Sequence, residues 1–201
     1  GASVSQCAQC PAGNYPSKTI TLSSSTPSGW YHISSSPDFG KMAVAVYTLQ
    51  AFLPRGLYIS SDGGATWGAL NARNAPWVAV RANRAFTKFV AADHGGYLYV
   101  SVDSGATWTA LVSAGIGPWQ DVVVSEDFTR MYAVTSTGGD STGHKSSDGG
   151  KTWSTFSIPG YIHSLVTNAE TTAVIAAVPM VALQKTEDGG DTWTSLGQTG
   201  F

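Results

Sequence analysis

The 201-residue sequence predicts an all-β protein, a β-propeller of four-stranded antiparallel blades. Three observations lead to this prediction. One short motif occurs four times at nearly constant spacing, and a second, aromatic motif runs in step with it. In addition, 23 glycines and nine prolines favour short strands joined by turns. Repeats of about 40–45 residues are typical of propellers, in which each repeat forms one blade.

The first motif has the form Ser/Thr-x-Asp-x-Gly-x-Thr-Trp, and its aspartates lie 41, 45 and 40 residues apart. Asp followed by Gly favours a turn, because the carboxylate accepts hydrogen bonds from nearby N–H groups and Gly adopts positive φ. The Trp is expected to open the next strand and to fill the gap to a neighbouring blade. The predicted structural turn residues are Asp62, Gly64, Thr66, Trp67, Asp103, Gly105, Thr107, Trp108, Asp148, Gly150, Thr152, Trp153, Asp188, Gly190, Thr192 and Trp193.

This motif resembles the Asp-box, or BNR repeat, of sialidase-type and sortilin-type β-propellers. The resemblance implies that each copy forms the turn between the third and fourth strands of a blade. It also implies that the copies are structural and lie on the face away from the active site of the sialidases.

The second motif is a Gly or Pro followed by an aromatic residue, at Trp30, Trp77, Trp119 and Tyr161. It predicts first strands at 30–34, 77–81, 119–125 and 161–167. The four predicted blades cover approximately residues 29–70, 75–112, 117–157 and 160–197, within a propeller domain of residues 18–201. Residues 18–22 resemble the outer strand of a further blade. The chain is therefore a piece of a longer propeller, a small ring of four blades, or a subunit whose spare strand completes a neighbour.

Residues 1–17 are predicted to form a separate cysteine-containing segment. The run from Cys7 through Cys10 to Tyr15 resembles the end of an ephrin-receptor-like, cysteine-rich module of extracellular proteins. The resemblance implies an oxidising compartment, in which Cys7 and Cys10 bond each other or another chain. A zinc site or a redox pair lacks support, because the sequence has no second ligand pair and no βαβ context.

Charge and hydropathy exclude two classes of partner. The 11 Lys and Arg against 13 Asp and Glu leave a net charge of −2, so the basic stripe that a nucleic acid needs is not expected. The longest apolar run, residues 173–183, is too short to span a bilayer. The four His have no ligand spacing, so neither a metal nor a cofactor is expected.

An enzymatic role is not expected either. Sialidases need three arginines on the sugar carboxylate, a Tyr–Glu pair and an acidic Asp, and the five Arg and three Glu do not match this set. Another glycosidase needs two carboxylates that face each other across a cleft. Asp93, Asp121 and Asp140 are the remaining candidates for such a pair.

The loops opposite the repeated turns vary most between blades, which predicts a binding face there. The candidate binding residues are Phe52, Arg55, Asp93, His94, Asp140 and His144. The chain is expected to be a non-catalytic extracellular module, with or without glycosylation. It would form part of a surface or matrix assembly, either by binding a protein partner or by self-association into filaments. The alternatives are a lectin-like propeller that binds a glycan and a fragment of a propeller glycoside hydrolase.

Overall fold

The structure is a computed structural model that describes residues 29–47, 55–158, 160–168, 171–178, 182–188 and 190–197. Cys7, Cys10, Phe52 and the predicted segments 1–17 and 18–22 lie outside the described residues. The described chain consists of 16 strands and one short 3₁₀ turn, Val112–Ala114. It contains no helix long and apolar enough to cross a membrane.

The strands form four antiparallel sheets, each made of four strands in chain order. The sheets are arranged as a four-bladed β-propeller, which confirms the predicted fold class. Blade 1 comprises β1 (Trp30–Ser35), β2 (Met42–Val46), β3 (Gly56–Ser60) and β4 (Gly68–Ala69). Blade 2 comprises β5 (Trp77–Ala82), β6 (Phe89–Asp93), β7 (Leu98–Ser101) and β8 (Thr109–Ala110). Blade 3 comprises β9 (Trp119–Val124), β10 (Met131–Ser136), β11 (Ser141–Ser146) and β12 (Ser154–Ile158). Blade 4 comprises β13 (Ser164–Thr167), β14 (Val174–Val178), β15 (Ala182–Thr186) and β16 (Thr194–Ser195).

The antiparallel order separates the connections into two faces. The loops between the second and third strands and the links between blades lie on one face, here called the upper face. The turns between the first and second strands lie on the lower face, together with the four repeated Asp turns. Consecutive first strands pack against each other around the axis: β1 on β5, β5 on β9, and β9 on β13.

Blade 4 starts differently from the other blades. β13 begins at Ser164, three residues after the predicted start, and the residue buried at this junction is Ile162 rather than Tyr161. The phenol of Tyr161 instead donates a hydrogen bond to Oε1 of Gln120 at 3.0 Å. A Tyr prefers such a site because its hydroxyl keeps a polar partner, whereas Ile has no polar atom to satisfy.

Three apolar clusters join consecutive blades, and they are built around Trp77, Trp119 and Ile162. In blades 1 and 2 the leucine that directly follows the last strand lies on the Asp-turn glycine of the next blade. Leu70 lies on Gly105, and Leu111 lies on Gly150. A Cβ at Gly105 would come within 2.5 Å of Leu70 Cδ2, so only glycine leaves room for this contact.

Blades 4 and 1 meet differently. The Tyr31 hydroxyl lies 3.4 Å from Nε2 of His163 near the axis. Away from the axis, apolar residues on both blades are exposed, among them Ile33 and Phe39 on blade 1 and Val166 and Leu183 on blade 4.

Candidate functional site

The four repeated Asp turns share one hydrogen-bond pattern. In the second copy the Asp103 carboxylate accepts from Ser101 Oγ at 2.8 Å, from the Thr107 N–H at 2.9 Å and from Thr107 Oγ1 at 2.6 Å. The Gly105 N–H donates to Ser101 Oγ. The hydrogen bonds from Thr107 and Ser101 lower the pKa of Asp103 to about 2. This carboxylate is therefore occupied by its own turn, and the other three copies repeat the arrangement.

A buried ion pair lies on the axis. Arg81 of β5 donates through Nη2 to Asp121 Oδ2 at 3.1 Å, and through Nε to the carbonyl of Val122 at 3.1 Å. The same guanidinium reaches the carbonyl of Leu165 in blade 4 at 3.1 Å. The Asp121 carboxylate also accepts from the Leu165 N–H at 2.8 Å. The pair thus links blades 2, 3 and 4, and its hydrogen bonds satisfy both charges.

His32 completes this axial layer from blade 1. Its Nδ1 accepts a hydrogen bond from the Val80 N–H at 3.4 Å, which leaves Nε2 facing Asp121 Oδ1 at 3.8 Å. Burial, helped by Arg81 and opposed by Asp121, lowers the pKa of His32 to about 4. The imidazole is therefore neutral at physiological pH.

Aromatic, histidine and amide side chains surround the upper end of the axis, above the ion pair. We call this group the axial cluster; it consists of Tyr31, Tyr47, His94, Gln120, Tyr161 and His163. All four blades contribute to it. Its members come from the beginnings of first strands and from the ends of second strands, which meet at the upper face.

Contacts between neighbours close the axial cluster into a circle. The rings of Tyr31 and Tyr47 are 5.1 Å apart, and those of Tyr47 and His94 are 5.9 Å apart. Nδ1 of His94 lies 2.9 Å from the carbonyl of Trp119, the residue before Gln120. On the other side the rings of Tyr31 and His163 are 6.2 Å apart, and those of His163 and Tyr161 are 6.3 Å apart. Tyr161 then reaches Gln120, which completes the circle.

The axial cluster is polar and contains no carboxylate, ammonium or guanidinium group. Phenols, imidazoles and an amide supply both donors and acceptors, and the rings supply apolar faces. Tyr31 is 43% exposed, so part of this aromatic surface is available from solvent. Partial burial, together with Tyr161 and Tyr47, raises the pKa of Tyr31, so its phenol stays protonated.

Of the predicted binding residues, His94 belongs to the axial cluster, and Asp93, the last residue of β6, directly precedes His94. Asp93 is buried, with Arg73 Nη1 3.5 Å from Oδ2. Burial raises the pKa of Asp93, although Arg73 opposes this. Arg55 is half-buried, and its Nε has no hydrogen-bond partner within the described part of the chain.

The two predicted binding residues of blade 3 have local roles. The Asp140 carboxylate accepts from the Gly160 N–H at 2.9 Å, which fixes the link to blade 4. The His144 ring packs edge-on against Trp119, with ring centres 4.8 Å apart, and burial lowers its pKa. Nε2 of His144 lies 3.2 Å from the Thr135 hydroxyl.

Sequence reasoning missed most of the axial cluster: Tyr31, Tyr47, Gln120, Tyr161 as an axial residue, and His163. A usable signal was present for two of them. Tyr31 and Gln120 each directly follow the tryptophan that opens a first strand. Since first strands line the axis of a propeller and alternate residues point to opposite sides, these positions were candidates for its upper end.

No group of three or more His, Cys, Asp or Glu that could hold a metal occurs in the part of the chain that the structure describes.

Neither a protein-family model nor a curated protein matches the sequence. Solved structures do match the fold. A GH74 enzyme from Niastella koreensis is 18% identical with a TM-score of 0.57, and the match covers 82% of this chain and 24% of that one. A GH74 xyloglucanase from Xanthomonas campestris is 19% identical with a TM-score of 0.60, covering 84% of this chain and 25% of that one. A chain of a nidogen/laminin complex is 8% identical with a TM-score of 0.69, covering 84% of this chain and 65% of that one.

The chain thus spans about a quarter of the length of these GH74 structures. At such low identities the likeness is one of fold. The structure and its neighbours together identify the chain as a β-propeller.

Proposed function

We propose that this chain is a carbohydrate-binding β-propeller that recognises a neutral glycan through the axial cluster. The observation that carries the proposal is the closed circle of aromatic, imidazole and amide groups around the axis. Sugars present apolar C–H faces and a ring of hydroxyls, and they are bound by aromatic faces flanked by donors and acceptors. Because the circle has no Lys or Arg to pair with an anionic group, it fits a neutral sugar better than an anionic one.

The solved neighbours give this proposal a second support. One of them is a xyloglucanase, so a propeller of similar fold acts on a polysaccharide. Binding without catalysis requires only the aromatic and hydrogen-bonding surface. Glycoside hydrolysis needs a pair of carboxylates in addition. The axial carboxylate of Asp121 is already bound by Arg81 and by backbone N–H groups.

A glycan array followed by calorimetric titration of the best ligand tests the proposal. We expect saturable binding by the wild-type chain, and a loss of at least about ten-fold in affinity for Tyr31→Ala, which removes an exposed aromatic face. The matched control is Phe39→Ala, which removes an exposed aromatic ring from the lower face. Absence of glycan binding, or equal binding by Tyr31→Ala, would contradict the proposal.

A propeller glycoside hydrolase is the second candidate, and Asp93 favours it. This carboxyl is buried next to His94 in the sequence, and burial raises its pKa, as a general acid requires. An assay of reducing-sugar release from xyloglucan tests this function. If turnover occurs, Asp93→Asn should abolish it and leave the melting temperature nearly unchanged. If wild-type protein releases no sugar, this candidate fails while glycan binding stands.

We further propose that the chain is a member of the Asp-box propeller family and belongs to an extracellular protein. The shared turn geometry supports the first part, and the cysteine-rich resemblance supports the second. Association with a protein partner or with further copies is part of this proposal. Light scattering with and without reductant tests it. A larger particle that dissociates on reduction would assign the linkage to Cys7 and Cys10, whereas a monomer in both conditions would exclude self-association.

A further inference from the structure

A groove of about 500 Å³ lies on the lower face between blades 3 and 4. Its size falls within the range of about 300–1,000 Å³ that is usual for small-ligand sites. The groove is on the opposite face from the axial cluster, and no member of that cluster lines it.

The groove exists because one repeated position changes in blade 4. The turn between the first and second strands of each blade contains one non-glycine residue at positive φ: Phe39, Phe86, Phe128 and Thr171, with φ between 53° and 67°. Phe86 and Phe128 are buried and fill the junctions between blades 1 and 2 and between blades 2 and 3. At the junction between blades 3 and 4 a threonine replaces the phenyl ring, and the space stays open.

The lining of the groove is polar and balanced in charge. Arg130 and Lys145 contribute two positive charges, and Glu187 and Asp188 contribute two negative charges. The aromatic residues are Tyr132 and Trp153. A site with balanced charges and aromatic walls disfavours a net ionic ligand and favours a neutral polar one.

The buried hydroxyl of Thr171 points to the kind of group that such a ligand carries. Thr171 is 1% exposed, and its Oγ1 has no hydrogen-bond partner among the residues that the structure describes. A buried hydroxyl without a partner is unfavourable, and in native proteins such groups are rare. A ligand hydroxyl in the groove would supply the missing donor or acceptor.

We infer that this groove is a second ligand site, which takes a neutral mono- or disaccharide unit. The inference does not depend on the proposed function, because it uses other residues on the other face. Trp153 and Tyr132 supply the aromatic contacts, Thr171 the inner hydroxyl and Arg130 a donor at the rim.

Titration of the ¹⁵N-labelled chain with maltose, cellobiose and lactose, followed by NMR, tests the inference. We expect one of these sugars to shift the Trp153 indole and Thr171 amide signals saturably. Thr171→Phe restores the residue that blades 2 and 3 carry, at a φ that Phe already adopts there. It should fill the groove, reduce the affinity at least ten-fold and keep or raise the melting temperature.

A second variant tests the contribution of the Thr171 hydroxyl alone. Thr171→Val keeps the shape and should weaken binding about five-fold, which is the effect of one lost hydrogen bond. Tyr31→Ala serves as the upper-face control and should leave these shifts intact. The inference would be overturned if none of the three sugars shifts the groove signals, or if Thr171→Phe binds as well as the wild type. Loss of binding in Tyr31→Ala alone would assign the sugar to the axial cluster instead.

Discussion

The packed junctions and the outer sides of blades 1 and 4 carry similar residues in very different environments. Phe86 is 4% exposed at a junction, while Phe39, at the same position of the repeat in blade 1, is 66% exposed. Leu98 is fully buried, and its counterpart Leu183 in blade 4 is 48% exposed. Burial in this fold therefore depends on the presence of the next blade as well as on the residue itself. The stability that the repeats provide should be concentrated at the three packed junctions.

Removing the junction phenyl is the strongest test of this comparison. Phe86→Ala should lower the free energy of unfolding by about 3–5 kcal/mol, because it leaves a cavity at a packed junction. Phe39→Ala should change it by less than about 0.5 kcal/mol, because the ring is mostly in water. Urea unfolding of both variants measures the difference. Similar losses in the two variants would mean that blade 1 is covered in solution.

The axial ion pair comes next, because it connects blades 2 and 4, which do not follow each other in the chain. Arg81→Met should cost about 3 kcal/mol, since it leaves the Asp121 carboxylate buried without its cation. The exposed pair between Lys145 and Asp191 provides the matched control, and Lys145→Met should cost less than about 1 kcal/mol. Equal effects of Arg81→Met and Lys145→Met on urea unfolding would show that the axis contributes no more than the surface.

The pH dependence of stability tests the axial contacts through the His32 imidazole. Its pKa falls from an ordinary 6.5 to about 4 in the folded chain, so between these values the unfolded chain binds a proton that the folded chain does not. Stability should therefore fall as the pH drops from about 6.5 to about 4, by at most about 1.4 kcal/mol per pH unit. His32→Gln should reduce this slope and leave the part due to His144, whose pKa burial also lowers. Unfolding measured at several pH values would contradict the expectation if the slope is the same in the variant as in the wild type.

The smallest effects are expected at the Asp turns, and they should be equal in packed and open blades because the hydrogen bonds are local. Asp103→Ala in blade 2 and Asp188→Ala in blade 4 should each lower the melting temperature slightly and to a similar extent.

Because the pKa of Asp103 is lowered to about 2, the stabilisation that its carboxylate provides is present above the ordinary pKa of 3.8 and is lost as the pH falls towards 2. Thermal melts at pH 7 and pH 2 measure both effects. A much larger loss for Asp103→Ala than for Asp188→Ala would show that the turn also supports the junction.

The fold could be predicted because its signals are local and repeated. Each Asp turn is specified within eight consecutive residues, from Ser60 to Trp67 in the first copy, and four copies fix the repeat length. Blade 3 shows where such reasoning stops. Gly143 stands where Leu57 and Leu98 stand in earlier blades, and the Phe156 ring fills its place, 2.2 Å from where a Cβ would lie. A large side chain on one strand thus compensates for a glycine on its neighbour, and this compensation is visible only in the folded structure.

The axial cluster could be predicted only in part for a related reason. Its members are separated by up to 132 residues, as Tyr31 and His163 are, and among them only Tyr161 belongs to a repeated motif. The connections on the upper face supply His94 from the loop after β6, and Tyr161 and His163 from the link before β13. The other members come from strand ends, whose convergence depends on how the blades are arranged around the axis. The groove beside Thr171 was also not predicted, because it results from the absence of a phenyl ring that other blades have.

The contact of Leu70 with Gly105, repeated by Leu111 with Gly150, also has a consequence for how the chain folds during synthesis. In each case the leucine leaves the ribosome before the glycine on which it will lie, and the two are separated by less than one repeat. Each new blade thus finds its docking surface already formed on the blade made just before it. Folding can proceed as stepwise growth from the amino-terminal side, with short loop closures at each step. A ribosome stall after any complete blade would then leave a partly built propeller with one open side, instead of an unfolded chain.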